Sequence, residues 1–318
     1  MNILANDGIS QAGIDALISK GFNVVTEHVV QKNLISIINS ENYEVLLVRS
    51  ATNVRKELID ACPNLKIIGR GGVGMDNIDV DYAREKGINV INTPAASSAS
   101  VAELVFAHLF SIVRFLYDSN RKMPLGGEQD FKELKRTYAK GKELAGKTLG
   151  IIGFGRIGQE VAKRAIGLGM EVLAHDKFID EANITLTFFN GEKKSFTIET
   201  ENLENVLSKS DFITLHIPKI GKKAIIGAKE IGMMKTGAGI VNAARGGVID
   251  ETALMFSLDK GKLAYAGLDV FESEPNPSIH ICMHNAISLT PHIGGSTLEA
   301  QDRIGIELAE QIITYFKE

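Results

Sequence analysis

The stretch that decides the fold is LGIIGFGRIGQEVAKRAIGLG, residues 149–169. Its first residues, Leu149–Ile152, form a short apolar run that predicts a buried strand, and the residues after the glycines have helical composition. Between these two elements, Gly153, Gly155 and Gly158 have the spacing G-x-G-x-x-G. A strand, a glycine-rich turn and a helix in this order predict a dinucleotide-binding βαβ unit.

Each glycine of this loop has its own expected role. Gly153 permits a tight turn out of the strand, Gly155 lets the backbone approach a pyrophosphate, and Gly158 lets the helix pack closely on its strand. The free N–H groups at the positive end of the helix then face the phosphates. A second strand, MEVLAHD, ends at Asp176, which is 176 − 158 = 18 residues after the last glycine. That interval is close to the roughly 20 residues at which an acidic side chain binds the ribose hydroxyls, so NAD is favoured over NADP, although the neighbouring Lys177 weakens the preference.

Composition indicates a two-domain protein without a charged partner surface. A length of 318 residues suits two domains, and 44% hydrophobic with 23% charged residues is ordinary for a packed protein. The net charge of −4 predicts no binding of nucleic acid or of an anionic membrane. Cys62 and Cys282 are too few for a disulfide framework or a cysteine-built zinc site, so reduced thiols and no metal are expected. No signal-peptide pattern and no apolar run near the roughly 20 residues of a bilayer span is found, which predicts a cytoplasmic protein without a membrane partner.

Strands and helices are expected to alternate along the chain. The expected strands of the first hundred residues are MNILAND, FNVVTEH, YEVLLVRS, LKIIGRGG and INVINTP. Later strands are DFITLHIP, AGIVNAARGG, AYAGLDVF and AISLTPHIGG, and an amphipathic helix from Ser296 to Glu318 follows them. This alternation predicts an α/β protein with parallel sheets covered by helices.

Two local patterns interrupt the alternation. The run SSASVAELVFAHLFSIVRFLYDSNR, residues 97–121, is expected to form one long helix that crosses from the first domain to the second. Ser100 and Glu103 have the spacing of a capping box at its start. Farther along, Asn190-Gly191 between alternating β-formers predicts a hairpin with a type I′ turn, inserted at the surface.

Polar residues follow three of the later strands and should meet at the carboxyl edge of their sheet. Arg245 follows one strand, Asp269, Glu272 and Glu274 follow the next, and His292 follows the last. Each residue alone has an ordinary structural explanation. Removing a hydride from a carbinol, however, requires a base for the hydroxyl proton, and an imidazole with a reference pKa of about 6.5 suits that task. An adjacent carboxylate would orient the ring, and a guanidinium could hold a carboxylate and polarise the reacting oxygen, so the set predicts a nicotinamide-dependent oxidoreductase.

At this point the chain resembles the D-isomer-specific 2-hydroxyacid dehydrogenase family, through GFGRIG, NAARGGVIDE, GLDVFESEP, TPHIGG and GRGGVGMDNID. Within that family, VRSAT, GRGGVGMDNID and NTPAASSASVAEL are most similar to the D-3-phosphoglycerate dehydrogenases. The resemblance implies two Rossmann-like doubly wound domains with the active site in the cleft between them. Residues 1–97 and 291–318 would form the substrate-binding domain, and residues 98–290 the NAD-binding domain. It also implies a homodimer. We expect no appended regulatory domain of the kind that binds serine in longer relatives, and so no basis for serine feedback.

The resemblance also implies the catalytic and cofactor residues. Arg245 would bind and polarise the substrate, Glu274 would pair with the base, and His292 would be the acid/base. His216 would lie near the adenine, although a packed histidine at a strand end explains it equally well. The cofactor contacts carried over, besides the three glycines of the loop, are Arg156, Ile157, Asp176, His216, Ala243, Ala244, Asp269, Gly294 and Gly295.

The substrate residues implied by the resemblance lie in the first hundred residues. Arg49 and Arg70 are the candidates for a substrate phosphate, because a dianion suits guanidinium partners. The competing explanation for either arginine is a structural salt bridge to a nearby carboxylate. The remaining substrate residues are Gly72, Val73 and Gly74 with backbone N–H groups for the carboxylate, Asn77 as a loop anchor and Ser50 as a weaker phosphate donor.

Three functions therefore compete. The leading hypothesis is NAD-dependent oxidation of 3-phospho-D-glycerate to 3-phosphohydroxypyruvate, the entry to serine synthesis. The alternative within the enzyme class is a glyoxylate or hydroxypyruvate reductase, or another D-2-hydroxyacid dehydrogenase. From a different class, a non-catalytic NAD(H)-sensing module has the same fold, and the complete set of Arg245, Glu274 and His292 argues against it.

Overall fold

Alternating runs of Ile, Leu and Val give each sheet two apolar faces, and a parallel sheet with such faces is covered by helices on both sides. A computed structural model describes residues 1–221 and 223–317. They form two units, Met1–Ser100 together with the chain from Gly295 on, and Val101–Gly294. The limits predicted from the sequence are 97/98 and 290/291.

The first unit contains five parallel strands in the order β2-β1-β3-β4-β5. The strands are β1 (Asn2–Ala5), β2 (Asn23–Val25), β3 (Tyr43–Val48), β4 (Ile67–Arg70) and β5 (Asn89–Asn92). The helices are α1 (Gln11–Ile18), α2 (Gln31–Ser40), α3 (Lys56–Ala61), α4 (Val80–Glu85) and α13 (Leu298–Tyr315). Consecutive residues of β3 lie on opposite faces of the sheet. Leu46 belongs to the core under α2 and α3, whereas Leu47 belongs to the core under α1 and α13. The unit is therefore doubly wound, as the sequence predicts.

The second unit contains six parallel strands in the order β13-β12-β11-β10-β6-β7. These strands are β6 (Thr148–Ile152), β7 (Glu171–His175), β10 (Phe212–Leu215), β11 (Ala238–Asn242), β12 (Leu263–Leu268) and β13 (Ile287–Leu289). Its longer helices are α5 (Ser98–Val113), α6 (Leu116–Gly126), α7 (Phe131–Thr137), α8 (Arg156–Gly167), α9 (Leu203–Lys209) and α11 (Glu251–Asp259). Two short helices, α10 (Ala228–Met233) and α12 (Ile279–Cys282), complete the set, and β8 (Glu181–Thr187) pairs with β9 (Lys193–Glu199) outside the sheet. The predicted α/β class is thus confirmed in both units.

The single long helix expected over residues 97–121 is wrong. The chain breaks after α5 at Phe115, whose φ of 55° lies in the left-handed region, and α6 leaves at 56° to α5. The Phe115 ring contacts Tyr138, at 5.9 Å between ring centroids, and Tyr265, at 6.3 Å, so aromatic packing stabilises the break. Within the described ranges no single helix is long and apolar enough to span a membrane, and α5 with α6 meets that test only as a bent pair.

The capping box expected at Ser100 and Glu103 is also wrong, because α5 begins at Ser98, before Ser100. Ser100 Oγ instead lies 2.8 Å from Thr297 Oγ1. The Glu103 carboxylate accepts a 2.9 Å hydrogen bond from Arg164 on α8. Both side chains therefore make tertiary contacts that a local sequence pattern does not contain.

The hairpin around Asn190-Gly191 forms, but its turn is not type I′. Within the loop only Gly191 has a positive φ, 83°, whereas a type I′ turn requires positive φ at two residues. Gly191 N donates to Phe188 O at 2.9 Å, and Phe188 N donates to Glu192 O at 2.8 Å. These bonds define a three-residue loop, a type I turn followed by a glycine bulge. One face of the hairpin packs on the unit through the fully buried Ile184, while Phe189 at its tip is exposed.

Candidate active site

The glycine loop after β6 has the geometry expected of a phosphate-binding turn. Gly153 has φ 95°, and a Cβ there would lie 2.5 Å from the carbonyl oxygen of His216. A Cβ on Gly158 would overlap the carbonyl of Gly153, so α8 packs closely on its strand. At Gly155, by contrast, a Cβ would meet nothing within 4 Å. The loop thus leaves open space beside Gly155, where a Cβ would occupy the room that a pyrophosphate needs.

The start of α8 and the end of β7 complete this loop. The N-cap of α8 is Gly155, and no side chain caps it, so the helix keeps its first N–H groups at Arg156 and Ile157 for a ligand. Asp176 follows β7 and accepts hydrogen bonds from Phe154 N at 2.7 Å and Phe178 N at 2.9 Å. The predicted ribose carboxylate is therefore tied directly to the glycine loop.

His216 follows β10, and its backbone carbonyl lies against Gly153. Its Nε2 lies 3.0 Å from Thr214 Oγ1, and its Nδ1 is buried without a hydrogen-bond partner in the described chain. Burial lowers the pKa of the imidazole to about 3, so the ring is neutral at physiological pH. A buried orphan nitrogen, an uncapped helix start and a carboxylate at the end of β7 around one open loop fit a dinucleotide.

Arg245 lies in a tight turn after β11 that a buried asparagine holds. Asn242 is 2% exposed; its Oδ1 accepts from Ala244 N at 3.0 Å, and its Nδ2 donates to Arg245 O at 2.9 Å. Ala243 and Ala244 are buried, and Arg245 is half-buried. Asn242 is not among the residues predicted from the sequence. Its signal is an amide, a poor strand former, directly after the apolar run of β11.

A series of contacts links this turn to the predicted acid/base pair. A Cβ on Gly246 would overlap the carbonyl of Phe271, so the turn of Arg245 packs directly on the loop after β12. In that loop Phe271 N donates to Glu274 Oε1 at 2.9 Å. The other oxygen of Glu274 lies 2.7 Å from His292 Nδ1. The structure therefore brings Glu274 and His292 into direct contact and ties the loop of Arg245 to both.

The backbone of His292 has a strained conformation that Asp269 stabilises. His292 has φ 55°, a left-handed value that costs a non-glycine residue about 1–2 kcal/mol. Its N–H donates to Asp269 O at 2.8 Å. The Asp269 carboxylate, 1% exposed, accepts from Ile293 N and Gly294 N, each at 2.8 Å. Asp269 thus binds the chain at and just after His292 through three backbone hydrogen bonds.

Glu272, the third acid of this loop, does not join the pair. Its carboxylate accepts from Glu251 N at 3.1 Å, and the Glu251 carboxylate accepts from Glu272 N at 2.7 Å. Burial raises the pKa of Glu251, and the negative charges of Glu272 and Glu274 raise it further. Glu272 therefore stabilises the start of α11.

In the first unit, the turn that carries Arg49 is held at several points. The Asp7 carboxylate accepts from Arg49 N at 2.6 Å, from Thr52 N at 3.1 Å and from the Thr52 hydroxyl at 2.6 Å. Asn77, the expected loop anchor, donates to the carbonyls of Arg49 and Thr52, both at 2.6 Å. Ser50 is exposed at the tip of this turn. These hydrogen bonds hold the backbone of the turn in place. The negative charge of Asp7 also stabilises the charged form of Arg49.

Both predicted phosphate arginines lie along one glycine loop. A Cβ on Gly71 would lie 3.7 Å from Arg49 Nε, and a Cβ on Gly72 would overlap Arg70 Nη1. Arg70 Nη1 also donates to Gly71 O at 3.1 Å. Burial lowers the pKa of Arg49 and Asp7 raises it, yet an arginine stays charged at neutral pH. Two guanidinium groups therefore share the loop that continues through the exposed Val73.

The predicted site residues are divided between the two units. The catalytic candidates and most cofactor candidates, including Gly294, belong to the second unit. The substrate candidates and Gly295 belong to the first.

Comparison with known proteins shows the family to which the chain belongs. Residues 106–294 match the profile of the D-isomer specific 2-hydroxyacid dehydrogenase, NAD binding domain. The chain is 44% identical to the hydroxypyruvate reductase of Thermotoga maritima, over 98% of this chain and 96% of that protein. It is 38% identical to the D-3-phosphoglycerate dehydrogenase of Bacillus subtilis and 41% identical to that of Methanocaldococcus jannaschii. Those matches cover 99% and 98% of this chain but only 57% of each relative, so the chain spans little more than half their length.

Solved structures with the same fold cover the whole chain. The TT0316 protein of Thermus thermophilus superposes with a TM-score of 0.85 at 28% identity, over 100% of this chain and 97% of that one. A glyoxylate reductase from Paecilomyes thermophila superposes with a TM-score of 0.82 at 29% identity, over 100% and 95% of the two chains.

Proposed function

Because the chain belongs to the D-isomer-specific 2-hydroxyacid dehydrogenase family and is an NAD-dependent oxidoreductase, we propose that it oxidises 3-phospho-D-glycerate to 3-phosphohydroxypyruvate, a step of serine synthesis. The observation that carries this choice is the pair Arg49 and Arg70 along one glycine loop. Two guanidinium groups suit a phosphate dianion, which accepts bidentate hydrogen bonds from each. An unphosphorylated three-carbon acid has no second anionic group for them.

The cofactor is held by the second unit and by Gly295. The pyrophosphate binds at Gly155 and at the first N–H groups of α8, on Arg156 and Ile157, and the ribose binds Asp176. His216 lies at the adenine side. The nicotinamide contacts are Ala243, Ala244, Asp269, Gly294 and Gly295. NAD, when bound, supplies the hydride acceptor of the oxidation.

His292 takes the proton of the substrate hydroxyl. Its Nδ1 faces the Glu274 carboxylate at 2.7 Å, and since an ionised carboxylate only accepts hydrogen bonds, the ring proton is on Nδ1. Nε2 therefore has a free lone pair and serves as the base. Glu274 orients the ring and stabilises the imidazolium that forms, and in the reverse direction this imidazolium is the acid.

Arg245 and the first unit hold the substrate. Arg245 binds the carboxylate and polarises the reacting oxygen as charge develops on it. Backbone N–H groups of the loop at Gly72, Val73 and Gly74 bind the same carboxylate. Arg49, with Ser50, and Arg70 bind the phosphate.

The substrate is tested by comparing NADH formation from 3-phospho-D-glycerate with NADH oxidation by phosphohydroxypyruvate, hydroxypyruvate and glyoxylate. We expect a clear preference for the phosphorylated pair. Arg49→Ala should raise the KM for phosphohydroxypyruvate by about tenfold or more, the effect of losing a charge-assisted bond, and that for hydroxypyruvate by less than about threefold. Arg55→Ala, which removes an exposed arginine of the same unit paired with Asp79, is the matched control. Equal effects of Arg49→Ala on both substrates would contradict the phosphate assignment.

A reductase of hydroxypyruvate or glyoxylate is the second candidate. The observation that favours it is the 44% identity to the Thermotoga maritima hydroxypyruvate reductase, over nearly the full length of both chains. It has the same fold, cofactor and acid/base pair and differs only in substrate. Faster turnover of hydroxypyruvate or glyoxylate than of phosphohydroxypyruvate would establish this candidate.

A homodimer through the α6–α7 segment belongs to the same proposal. In this segment Leu125 is 85% exposed and Phe131 is 56% exposed, and neighbouring exposed apolar side chains suit a protein interface. Leu125→Asp should convert a dimer to a monomer in light scattering after size exclusion. The exposed Phe256 on α11, 63% exposed, provides the control Phe256→Asp, which should leave the mass unchanged. A monomeric wild type would contradict the dimer.

A further inference from the structure

A buried histidine on α5 is connected to the carboxylate that supports His292. His108 is 2% exposed. Its Nδ1 lies 2.9 Å from Ser288 Oγ, and its Nε2 lies 3.0 Å from Thr290 Oγ1. Thr290 Oγ1 in turn donates to Asp269 Oδ1 at 2.6 Å. Four side chains thus form one continuous hydrogen-bonded chain that ends on Asp269.

The direction of every bond in this chain follows from its last member. The Asp269 carboxylate accepts from Ile293 N and Gly294 N, so it takes the Thr290 hydroxyl proton as a third donor. The Thr290 oxygen then accepts from His108 Nε2–H. Burial lowers the pKa of His108 more than the Asp269 charge raises it, so the ring is neutral and its Nδ1 accepts from the Ser288 hydroxyl.

The packing around the His108 ring depends on a glycine in the facing strand. Gly267 on β12 faces the ring, and a Cβ at that position would lie 2.8 Å from His108 Cβ and 3.0 Å from its Cγ. The glycine therefore lets α5 approach β12 closely enough for the ring to lie between Ser288 and Thr290. A side chain at 267 would displace the ring.

Asp269 connects this hydrogen-bonded chain to the backbone around His292. Its carboxylate has one side-chain donor, Thr290, and two backbone donors directly after His292. If the Thr290 hydroxyl lost its own donor, its orientation would be less well defined and its bond to the carboxylate weaker, which would leave Asp269 to depend mainly on its two backbone donors. The left-handed backbone of His292 would then have a less rigid support.

We propose that His108 is a positioning residue of the dehydrogenase. Its Nε2–H orients the Thr290 hydroxyl, which fixes the Asp269 carboxylate and so holds His292 in its reactive conformation. This role rests on the proposed function of His292 as the acid/base.

The test compares His108→Leu, which removes both ring nitrogens, with His108→Gln, whose amide N–H takes the place of Nε2–H. Turnover of hydroxypyruvate with NADH, NADH affinity by fluorescence and thermal stability are measured for each. We expect kcat of His108→Leu to fall about tenfold with NADH affinity within about threefold of wild type, because His108 is not itself a cofactor contact and Asp269 keeps its two backbone donors. His108→Gln should recover kcat to within about threefold of wild type.

Two further comparisons separate positioning from packing. Val105→Ala, a fully buried residue one turn earlier on α5, should lower the stability without the loss of kcat. The double variant His108→Leu with Thr290→Val should lose no more kcat than the poorer single variant, since both interrupt one chain. If His108→Leu does not fold, Thr290→Val against Thr290→Ser makes the same comparison.

The proposal is overturned if His108→Leu keeps kcat within about twofold of wild type, if His108→Gln is no better than His108→Leu, or if the double variant is additive. His292→Ala is measured alongside. Full turnover by His292→Ala would refute the acid/base assignment itself. A large loss in His292→Ala with none in His108→Leu would refute only the role of His108.

Discussion

At the scale of the residue, the two carboxylates around His292 have separate tasks. Glu274 contacts the imidazole and sets which ring nitrogen carries the proton. Asp269 binds the backbone at and after the histidine, where it stabilises a left-handed conformation, and it also accepts from the Thr290 hydroxyl. Catalysis and conformation can therefore be tested separately.

His292→Ala should lower kcat about 10²-fold or more, the contribution expected of a general acid/base. NADH affinity should stay within about threefold, because the His292 side chain is not among the proposed cofactor contacts. Turnover and fluorescence titration measure the two. His280→Ala, an exposed histidine of the same unit, is the control and should behave as wild type. An NAD-sensing module without catalysis would show no turnover in the wild type and no change in either variant.

Glu251→Gln should raise the melting temperature at pH 7 by roughly 1–2 °C, where 1 kcal/mol corresponds to about 2–4 °C. The folded pKa of Glu251 is raised by burial and by Glu272 and Glu274. Folding therefore favours the protonated acid, and stability is lost as the pH rises from the unfolded pKa through the folded one. The glutamine side chain does not ionise, so the variant keeps the stability that the wild type loses as the pH rises. At pH 4 the variant and wild type should melt together, and a gain of equal size at both pH values would contradict the explanation.

At the scale of the element, long-range contacts decide where helices and turns end. The chain leaves α5 at Phe115 because the Phe115 ring packs against Tyr138 and Tyr265, which lie farther along the chain. In the hairpin, the register of β8 and β9 leaves three residues in the loop, and this length selects a type I turn with a glycine bulge.

Gly191→Ala should weaken the hairpin by about 1 kcal/mol, because alanine at φ 83° is strained. Asn190→Ala should cost only a few tenths of that, since Asn190 has no positive φ and loses one bond to Glu192 N. Hydrogen exchange of the Phe188 and Gly191 amides reports both changes. Similar losses at the two positions would instead indicate a type I′ turn.

The sequence predicts what depends on spacing and fails where distant residues meet. The glycine loop, the strand ends and the position of Asp176 follow from local pattern, because each is set by its own βα turn. The pairing of Ser100 with Thr297 and the contact of His108 with Ser288 and Thr290 do not, since each joins residues nearly 200 apart in the chain. Asn242 lies between these cases: its strand-end position is visible, but its role in holding the turn of Arg245 requires the structure.

At the scale of the whole molecule, the first unit is made from both ends of the sequence. Helix α13 packs on α1 so closely that a Cβ on Gly13 would lie 2.8 Å from the backbone of Gly305. Leu17 of α1 and Leu308 of α13 share one core with strands β1, β3 and β4. The amino-terminal sheet therefore has a complete apolar cover only when α13 is in place.

Gly13→Ala should destabilise the first unit by about 1–3 kcal/mol, the usual cost of overpacking, despite the better helix propensity of alanine. The same change in an open helical position, Gly232→Ala on α10, meets nothing within 4 Å and should be neutral or stabilising by up to about 1 kcal/mol. Urea unfolding followed by fluorescence and circular dichroism measures both. Equal and small effects would mean that α1 and α13 separate without cost.

The composition of the first unit from two distant segments has a consequence for synthesis on the ribosome. Residues 101–294 are contiguous, so the second unit can fold as soon as it leaves the exit tunnel. The first unit emerges earlier but lacks α13 until the whole second unit has been translated. Its apolar face under α1 stays uncovered for that interval and is open to chaperones, so of the two units the one whose synthesis starts first is completed last.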